Sequence, residues 1–151
     1  MADGYSALAP VYDRLNDTVD YAAWADFLEA CIERFGTKTP GASILDLGCG
    51  TGSMSLIMAE KGFDVIGVDS SIGMLNAAQQ KMFDSGRHML LLNQKMQEID
   101  LYGTVDCAIC VLDGINHLTG KGDIEKCFRT VHNYLDPEGL FVFDVNTPYK
   151  F

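Results

Sequence analysis

Residues Ile44 to Gly52 read Ile-Leu-Asp-Leu-Gly-Cys-Gly-Thr-Gly. An apolar strand over residues 44–47 breaks into a loop with glycines at positions 48, 50 and 52, and a helix begins near Ser53. Glycine permits backbone angles and close approaches that a side chain forbids, so a bulky or charged ligand can lie against the main chain. The stretch therefore predicts a ligand site at the end of the first strand.

An acidic residue at the end of the second predicted strand supports this interpretation. The strand over residues 63–68 is followed directly by Asp69, which lies seventeen residues past Gly52. A carboxylate at that place can accept hydrogen bonds from the hydroxyls of a ribose, as in nucleoside-binding α/β folds. Asp69 alone also fits the role of a helix N-cap, and the two roles can coexist.

The whole chain alternates between helical and strand patterns. Strands that are apolar on both faces belong to a parallel sheet covered by helices on each side, so we expect one domain over 1–151 with the α/β class: a doubly wound, mostly parallel sheet of about five strands, preceded by N-terminal helices. Ligands of such sheets bind at the carboxyl ends of the strands. The predicted helices are 20–35, 53–61, 71–85 and 121–134, and the predicted strands are 44–47, 63–68, 89–92, 105–112 and 140–145.

Composition narrows the class of protein. The 151 residues are 48% hydrophobic, as in a globular domain, and the formal charge of −10 disfavours a nucleic-acid partner. Without a signal peptide or membrane-length apolar run, we expect a cytoplasmic protein with no membrane partner. Cys107 and Cys110 have the spacing of a redox or zinc motif, but residues three apart on a strand point to opposite faces, and no other spacing indicates a metal site.

Several ordered motifs together resemble the class I S-adenosylmethionine-dependent methyltransferases, in particular a bacterial subgroup that acts on small molecules. They are the glycine stretch, Gly67-Val-Asp-Ser-Ser71 with Met74, and Val105 to Asp113, joined by an N-terminal Tyr5-Ser-Ala-Leu-Ala-Pro-Val-Tyr-Asp13 that resembles a segment folding over the cofactor. The resemblance implies a transferase with a Rossmann-like fold. Its cofactor would be S-adenosyl-L-methionine, its product S-adenosyl-L-homocysteine, and its partner a small-molecule acceptor methylated by in-line displacement.

The resemblance also implies roles for individual residues. Asp46 would hold the methionyl ammonium and Asp69 the ribose hydroxyls. The catalytic candidates beyond the fourth strand are Asp113 and His117 as bases, with Asn116 as a hydrogen-bonding positioner, although a loop histidine is more often solvated or a cap. The remaining cofactor contacts would be Tyr12, Gly48, Cys49, Gly50, Gly52, Ser70, Met74, Met96 and Leu112.

Two of these assignments, Met74 and Tyr12, compete with plain packing. By spacing alone, Met74 is more often a core residue than a ligand contact, and only the motif raises the ligand interpretation. Tyr21 and Trp24, together with Tyr12, also fit simple packing between N-terminal helices.

Two features depart from the family pattern. Lys95 occupies a position that is often an aspartate accepting a hydrogen bond from the adenine amino group; lysine can only donate, so that contact is lost or passes to Gln94, Gln97 or a backbone carbonyl. The family's sheet normally has seven strands, whereas Phe151 lies just beyond the fifth. We therefore expect a C-terminally incomplete domain whose fifth strand is an exposed edge and a surface for self-association.

Two other functions use similar features. A nicotinamide or flavin oxidoreductase would also have a glycine-rich loop and an acidic strand end, but its fingerprint requires glycine or alanine where this chain has Ser53. The other alternative is a non-catalytic module or fragment that binds S-adenosylmethionine or another nucleoside. Titration with S-adenosylmethionine and with NAD distinguishes the first alternative.

Overall fold

The computed structural model describes residues 4–36, 41–112 and 114–147. Helices and strands alternate along the chain after two N-terminal helices. The helices are α1 (Gly4–Leu15), α2 (Tyr21–Phe35), α3 (Ser53–Glu60), α4 (Ile72–Ser85) and α5 (Asp123–Tyr134), with a 3₁₀ turn at Ile115–His117; the strands are β1 (Ser43–Leu47), β2 (Asp64–Asp69), β3 (Leu90–Asn93), β4 (Val105–Cys110) and β5 (Leu135–Phe143).

The five strands form one parallel sheet in the order β3-β2-β1-β4-β5. The predicted α/β doubly wound class is confirmed. Strand order reverses at β1, which lies between β2 and β4, and in such sheets the ligand cleft opens at the carboxyl ends of the strands on either side of the reversal. The register aligns Asp46 of β1 with Gly67 of β2 and with Ile109 of β4. The glycine loop therefore leaves the sheet at the reversal.

Apolar side chains bury both faces of this sheet. Ile44, Cys107 and Ile109 belong to one hydrophobic cluster, which includes buried residues of α2 and α3. Leu45 and Cys110 belong to a second cluster that includes residues of α5. Cys107 and Cys110 thus lie in different clusters, as the two-residue strand period predicts. Because helices cover both faces, the central strands hold the ends of β1, β2 and β4 in fixed positions.

Helix starts agree with the sequence where a side chain caps them. Ser71 precedes α4 and caps it, because its side chain accepts a hydrogen bond from the backbone N–H of Met74 at 3.2 Å. Asp20 accepts a hydrogen bond from the N–H of Ala23 at 3.0 Å and begins α2. Both contacts satisfy N–H groups that have no partner inside the helix.

The predicted strands 105–112 and 140–145 were wrong in their bounds. β4 already ends at Cys110. β5 begins at Leu135, five residues before the predicted start, and ends at Phe143. Val105 pairs with Leu135 but Cys107 pairs with Leu140, so the residues between form a bulge inside the strand. Sequence periodicity could not show that residues before the bulge and residues after it pair with the same neighbouring strand.

β5 forms one edge of the sheet, as expected. Phe143 on this strand is 41% exposed. Its ring lies 5.0 Å from that of Phe141 and 5.1 Å from that of Phe128 of α5, measured between centroids. The edge therefore carries a partly exposed aromatic surface. Among the described helices, none is both long and apolar enough to cross a bilayer.

Candidate functional site

The loop after β1 takes the left-handed conformation three times. The φ angles of Gly48, Gly50 and Gly52 are +68°, +58° and +81°, and residues other than glycine rarely adopt this backbone conformation. The backbone N–H of Cys49 donates to the carbonyl of Val68 at 2.9 Å, so the loop is tied to β2. The predicted need for glycine at these positions is confirmed.

Asp69 lies beside this loop and joins it to the start of α4. One carboxylate oxygen accepts a hydrogen bond from the N–H of Gly50 at 2.8 Å, and the other accepts one from the N–H of Ser71, also at 2.8 Å. Asp69 thus supports the helix start, although Ser71 is its cap, and still faces the cleft.

The cleft contains two adjoining cavities. The larger has a volume of about 260 Å³ and is lined by the loop, the ends of β2 and β3, and the residues after β4. The smaller, about 40 Å³, lies at the end of β1. Because Tyr12, Gly48, Gly50 and Leu112 line both, the two cavities form one continuous site.

Asp46 is the acidic group of the smaller cavity. Its side chain is 3% exposed and accepts a hydrogen bond from the hydroxyl of Ser55 at 2.5 Å. Burial raises its pKa to about 7; the hydrogen bond from Ser55 opposes this increase, and the negative charge of Asp69 adds to it. A cationic group in this cavity would lower that pKa, because it would compensate the buried charge.

Two tyrosines face the smaller cavity from the N-terminal helices. Tyr12 of α1 and Tyr21 of α2 both line it. Burial, with a further contribution from the charges of Tyr12 and Asp13, raises the pKa of Tyr21, so its hydroxyl stays protonated and can donate a hydrogen bond. The packing interpretation of Tyr21 was incomplete. Trp24, one turn later, does pack, meeting Phe27 edge-on at 6.2 Å between centroids.

Comparison with known proteins identifies the family. Residues 44–139 match the model of a family described as a methyltransferase domain. The chain belongs to this family. It is 40% identical over 147 residues to a Bacillus subtilis protein named as the methyltransferase YqeM, covering 97% of this chain and 57% of the relative.

Solved structures of methyltransferases have the same fold. An S-adenosylmethionine-dependent methyltransferase from Clostridium acetobutylicum superimposes with a TM-score of 0.82 at 34% identity, covering 98% of this chain and 60% of that one. The sugar N-methyltransferase KedS8 from Streptoalloteichus gives a TM-score of 0.78 at 28% identity, covering 93% and 56%. The methyltransferase cofactor is S-adenosylmethionine, and the oxidoreductase alternative gains no support. The chain spans about 60% of the length of these proteins.

The chemistry of the methyltransferase site fits this cofactor. Each of its two cavities has a carboxylate in its lining, Asp69 in the larger and Asp46 in the smaller. A carboxylate suits the hydroxyls of a ribose and equally an ammonium group. Met74 and Met96 add apolar surface to the larger cavity, which suits an adenine ring. A side chain at Gly50 would point toward the ring of Tyr12, with its Cβ 4.0 Å from Cε1, so the glycine leaves a gap between loop and ring.

Most of the residues predicted for the site surround it. Gly52 lies outside both linings: its position serves packing, because a Cβ there would lie 3.0 Å from the Cβ of Ala78. Asn116 also lies outside them, and its side-chain oxygen accepts a hydrogen bond from the N–H of Asn146 at 3.4 Å. Asp113 lies outside the described residues. Those that line a cavity are Tyr12, Asp46, Gly48, Cys49, Gly50, Asp69, Ser70, Met74, Met96, Leu112 and His117.

Some lining residues were not predicted. Asp123 at the start of α5 and Leu118 line the larger cavity. Both lie outside the recognised motifs, so nothing in the sequence pointed to them. Thr51 and Ser53 line the smaller cavity; they lie inside the recognised loop, where the glycines dominated the interpretation.

Lys95 lines the larger cavity together with Gln94 and Gln97. The amide of Gln94 is engaged elsewhere: it donates to the carbonyl of Asp100 at 3.1 Å and accepts from the N–H of Asp100 at 3.0 Å. The backbone carbonyl of Gln97 accepts from the hydroxyl of Thr130 at 3.3 Å. The side chain of Gln94, one of the groups proposed to accept a hydrogen bond from adenine in place of an aspartate at position 95, is therefore already hydrogen-bonded to the backbone of Asp100.

Proposed function

We propose that this chain provides the cofactor-binding part of an enzyme that transfers a methyl group from S-adenosylmethionine to a small-molecule acceptor. The observation that carries the proposal is the pair of acidic strand ends. Asp46 lies in the strand that leads into the glycine loop and Asp69 is hydrogen-bonded to that loop, and each lines one of two adjoining cavities. A ligand with an ammonium group at one end and a ribose at the other matches that arrangement.

Within this proposal each residue has a binding or positioning role. When bound, S-adenosylmethionine supplies an electrophilic methyl group on a sulfonium that departs as a neutral thioether. Asp46 would hold the ammonium, Asp69 would accept hydrogen bonds from the ribose, and Met74 and Met96 would contact the adenine. Leu112 lines both cavities and would lie beside the reacting centre. The protein thus contributes position and electrostatics.

The acceptor is proposed to be an amine on a small molecule, because KedS8 is by its title a sugar N-methyltransferase. An amine that binds in its protonated, ammonium form must lose a proton before its lone pair can attack the methyl group. His117 lines the larger cavity together with Leu112 and is the candidate base, as is Asp113. Tyr12 and the protonated hydroxyl of Tyr21 would orient the acceptor. Asn116 and Gly52 line neither cavity, so the site geometry does not support Asn116 as a positioner or Gly52 as a backbone contact.

Calorimetric titration tests the proposal. S-adenosylmethionine and S-adenosylhomocysteine are each titrated into the chain, and NAD is the control for the oxidoreductase alternative. We expect both sulfur compounds to bind with one-to-one stoichiometry and NAD to give no heat above dilution. Tighter binding of NAD than of S-adenosylmethionine would overturn the proposal.

Turnover separates the enzyme from a non-catalytic module. The chain is incubated with S-adenosylmethionine and a set of amino sugars, amino acids and other small amines, with RNA as the charged alternative. We expect release of S-adenosylhomocysteine and a mass gain of roughly 14 Da on the amine, which is the mass of the CH₂ added per methylation. Cofactor binding without turnover on any acceptor would favour the non-catalytic module.

Two further proposals concern the setting of the protein. The cytoplasm is the proposed location, supported by cysteines that are free among the described residues. Copies of this chain are proposed to associate through β5, because this edge strand carries exposed aromatic surface.

A further inference from the structure

Helix α1 covers the cofactor site with little apolar burial of its own. Among its described side chains, residues 6–15, only Ala9 is buried. Yet α1 delivers Tyr12 to the lining of both cavities. Because burial of apolar surface is the main source of packing stability, α1 requires another attachment to stay in this position.

A polar cluster provides that attachment. We name it the Asp13–Lys81 cluster; it consists of Asp13 of α1, Thr51 of the glycine loop, Ser53 of α3 and Lys81 of α4. The ammonium of Lys81 lies 2.5 Å from a carboxylate oxygen of Asp13 and donates to the hydroxyls of Ser53 at 2.7 Å and Thr51 at 3.0 Å. Thr51 in turn donates to the other oxygen of Asp13 at 2.6 Å. All three N–H donors of the lysine therefore have partners.

The carboxyl of Asp13 is ionised at neutral pH, because its pKa lies below the ordinary value. Burial acts to raise the pKa of Asp13, but its ion pair with Lys81 and the hydrogen bond from Thr51 outweigh that effect, so the pKa is lowered. Thr51 is 2% exposed, so part of the cluster lies away from water. Solvent therefore screens these contacts less than it screens contacts at an open surface. The side chain of Lys81 is itself only 28% exposed.

One more hydrogen bond joins α1 to α4. The backbone N–H of Gly73 donates to the hydroxyl of Ser6 at 3.0 Å, and a Cβ on Gly73 would lie 2.4 Å from the Cα of Ser6. The two helices therefore touch closely at the first turn of α4, while Lys81 joins them two to three turns further along. Together these contacts place Tyr12, the residue before Asp13, over the loop.

We propose that Lys81 is a positioning residue that holds α1 over the cofactor cavity and thereby slows cofactor release. The inference rests on the proposed cofactor site, but the residues that carry it lie outside the predicted binding set. Its physical basis is that one side chain joins α1, the glycine loop, α3 and α4. Losing it frees α1 to move away from the cavity without altering Asp46 or Asp69.

The test uses Lys81→Met, with Lys61→Met as the matched control. Lys61 is also a partly exposed lysine with two acidic partners, Asp26 at 2.7 Å and Glu29 at 3.3 Å, but it lines neither cavity. We expect Lys81→Met to weaken S-adenosylhomocysteine binding about tenfold, mainly through faster dissociation, because several charge-assisted hydrogen bonds are lost. Lys81→Arg, which keeps the charge and the donors, should recover most of the affinity, and Lys61→Met should bind like the wild type.

Hydrogen exchange of the unliganded protein gives a second readout. Amides of α1 should exchange roughly tenfold faster in Lys81→Met, since local opening becomes easier, while those of β1 and β4 should not change. Unchanged α1 exchange, or binding within twofold of the wild type in a folded Lys81→Met protein, would overturn the inference. If the wild type itself does not bind S-adenosylhomocysteine, the proposed cofactor site fails first, and this role for Lys81 fails with it.

Discussion

The carboxylate of Asp69 accepts a hydrogen bond from the backbone N–H of Gly50 at 2.8 Å, so the end of β2 is joined to the loop that follows β1. Replacing Asp69 with alanine should remove this bond and the proposed ribose contact together. We expect binding of S-adenosylmethionine to weaken by about 2 to 4 kcal/mol, because hydrogen bonds to a charged group are among the stronger ones. Calorimetry measures the loss.

The control for this change is Asp64→Asn. Asp64 begins the same strand, is exposed, and lies at the opposite end of β2 from the cavities. Its replacement removes one negative charge while leaving the site intact, so cofactor affinity should stay within about twofold of the wild type. Equal losses in the two variants would show that net charge, rather than the position of Asp69, governs binding.

Asp46 should make cofactor binding depend on pH. The pKa of this buried carboxyl is raised to about 7, and its ionised form is the one that attracts an ammonium group. Affinity for S-adenosylmethionine should therefore rise as pH increases from 6 to 8. Below the pKa the affinity should increase roughly tenfold for each pH unit, and above the pKa it should level off. Calorimetry across this range tests the slope, and Asp46→Asn should abolish it. A wild-type affinity independent of pH would contradict the assignment.

Ionisation of Asp46 should also lower the stability of the folded chain at pH values above its pKa. Because the pKa of Asp46 in the folded chain lies above its unfolded value of about 4, its stabilising contribution is complete below pH 4 and is lost as pH rises through about 7. Asp46→Asn cannot ionise and keeps an acceptor for Ser55. We expect this variant to be about 2 kcal/mol more stable than the wild type at pH 8, with a smaller difference at pH 5, as measured by urea unfolding. A less stable variant at pH 8 would argue against burial of an ionised carboxylate.

The glycine loop illustrates what the sequence could and could not predict. Strand identity, sheet class and the need for glycine follow from local patterns, because apolar period and backbone sterics act over a few residues. That Gly52 packs against Ala78 while Gly50 faces Tyr12 depends on where α4 and α1 lie, which no local pattern contains. For the same reason Tyr21 had the pattern of a packing residue, and Asp123 gave no signal at all.

Gly52 and Gly62 separate strain from steric contact. Both have positive φ, +81° and +99°, but a Cβ on Gly52 would lie 3.0 Å from that of Ala78, whereas a Cβ on Gly62 would meet nothing within 4 Å. Gly62→Ala should cost only the backbone strain, about 1 to 2 kcal/mol. Gly52→Ala should cost a further 1 to 3 kcal/mol, roughly the range for overpacking a core. Urea unfolding of both variants provides the comparison, and equal losses would mean that α4 yields without cost.

Lys95 should limit cofactor affinity. It lines the larger cavity, and its ammonium can only donate, whereas an adenine amino group also needs an acceptor. Replacing it with aspartate supplies that acceptor, since the amide of Gln94 is held by Asp100. We expect Lys95→Asp to tighten S-adenosylmethionine binding by about 1 kcal/mol, the usual net value of one added hydrogen bond. Lys95→Ala is the control for removing the positive charge alone, and tighter binding to the wild type than to Lys95→Asp would refute the prediction.

The aromatic edge of the sheet should drive self-association. Phe143 on β5 is 41% exposed and lies against Phe141 and Phe128, so association of two copies would remove apolar surface from water and also satisfy the edge backbone. Sedimentation or light scattering should show mass rising with protein concentration. Phe143→Lys should suppress this rise, because a charge on an edge strand opposes pairing. Phe83→Lys is the matched control: Phe83 is 82% exposed but lies on α4, away from β5, and its replacement should leave association unchanged. A wild-type chain that stays monomeric at high concentration would exclude pairing through β5.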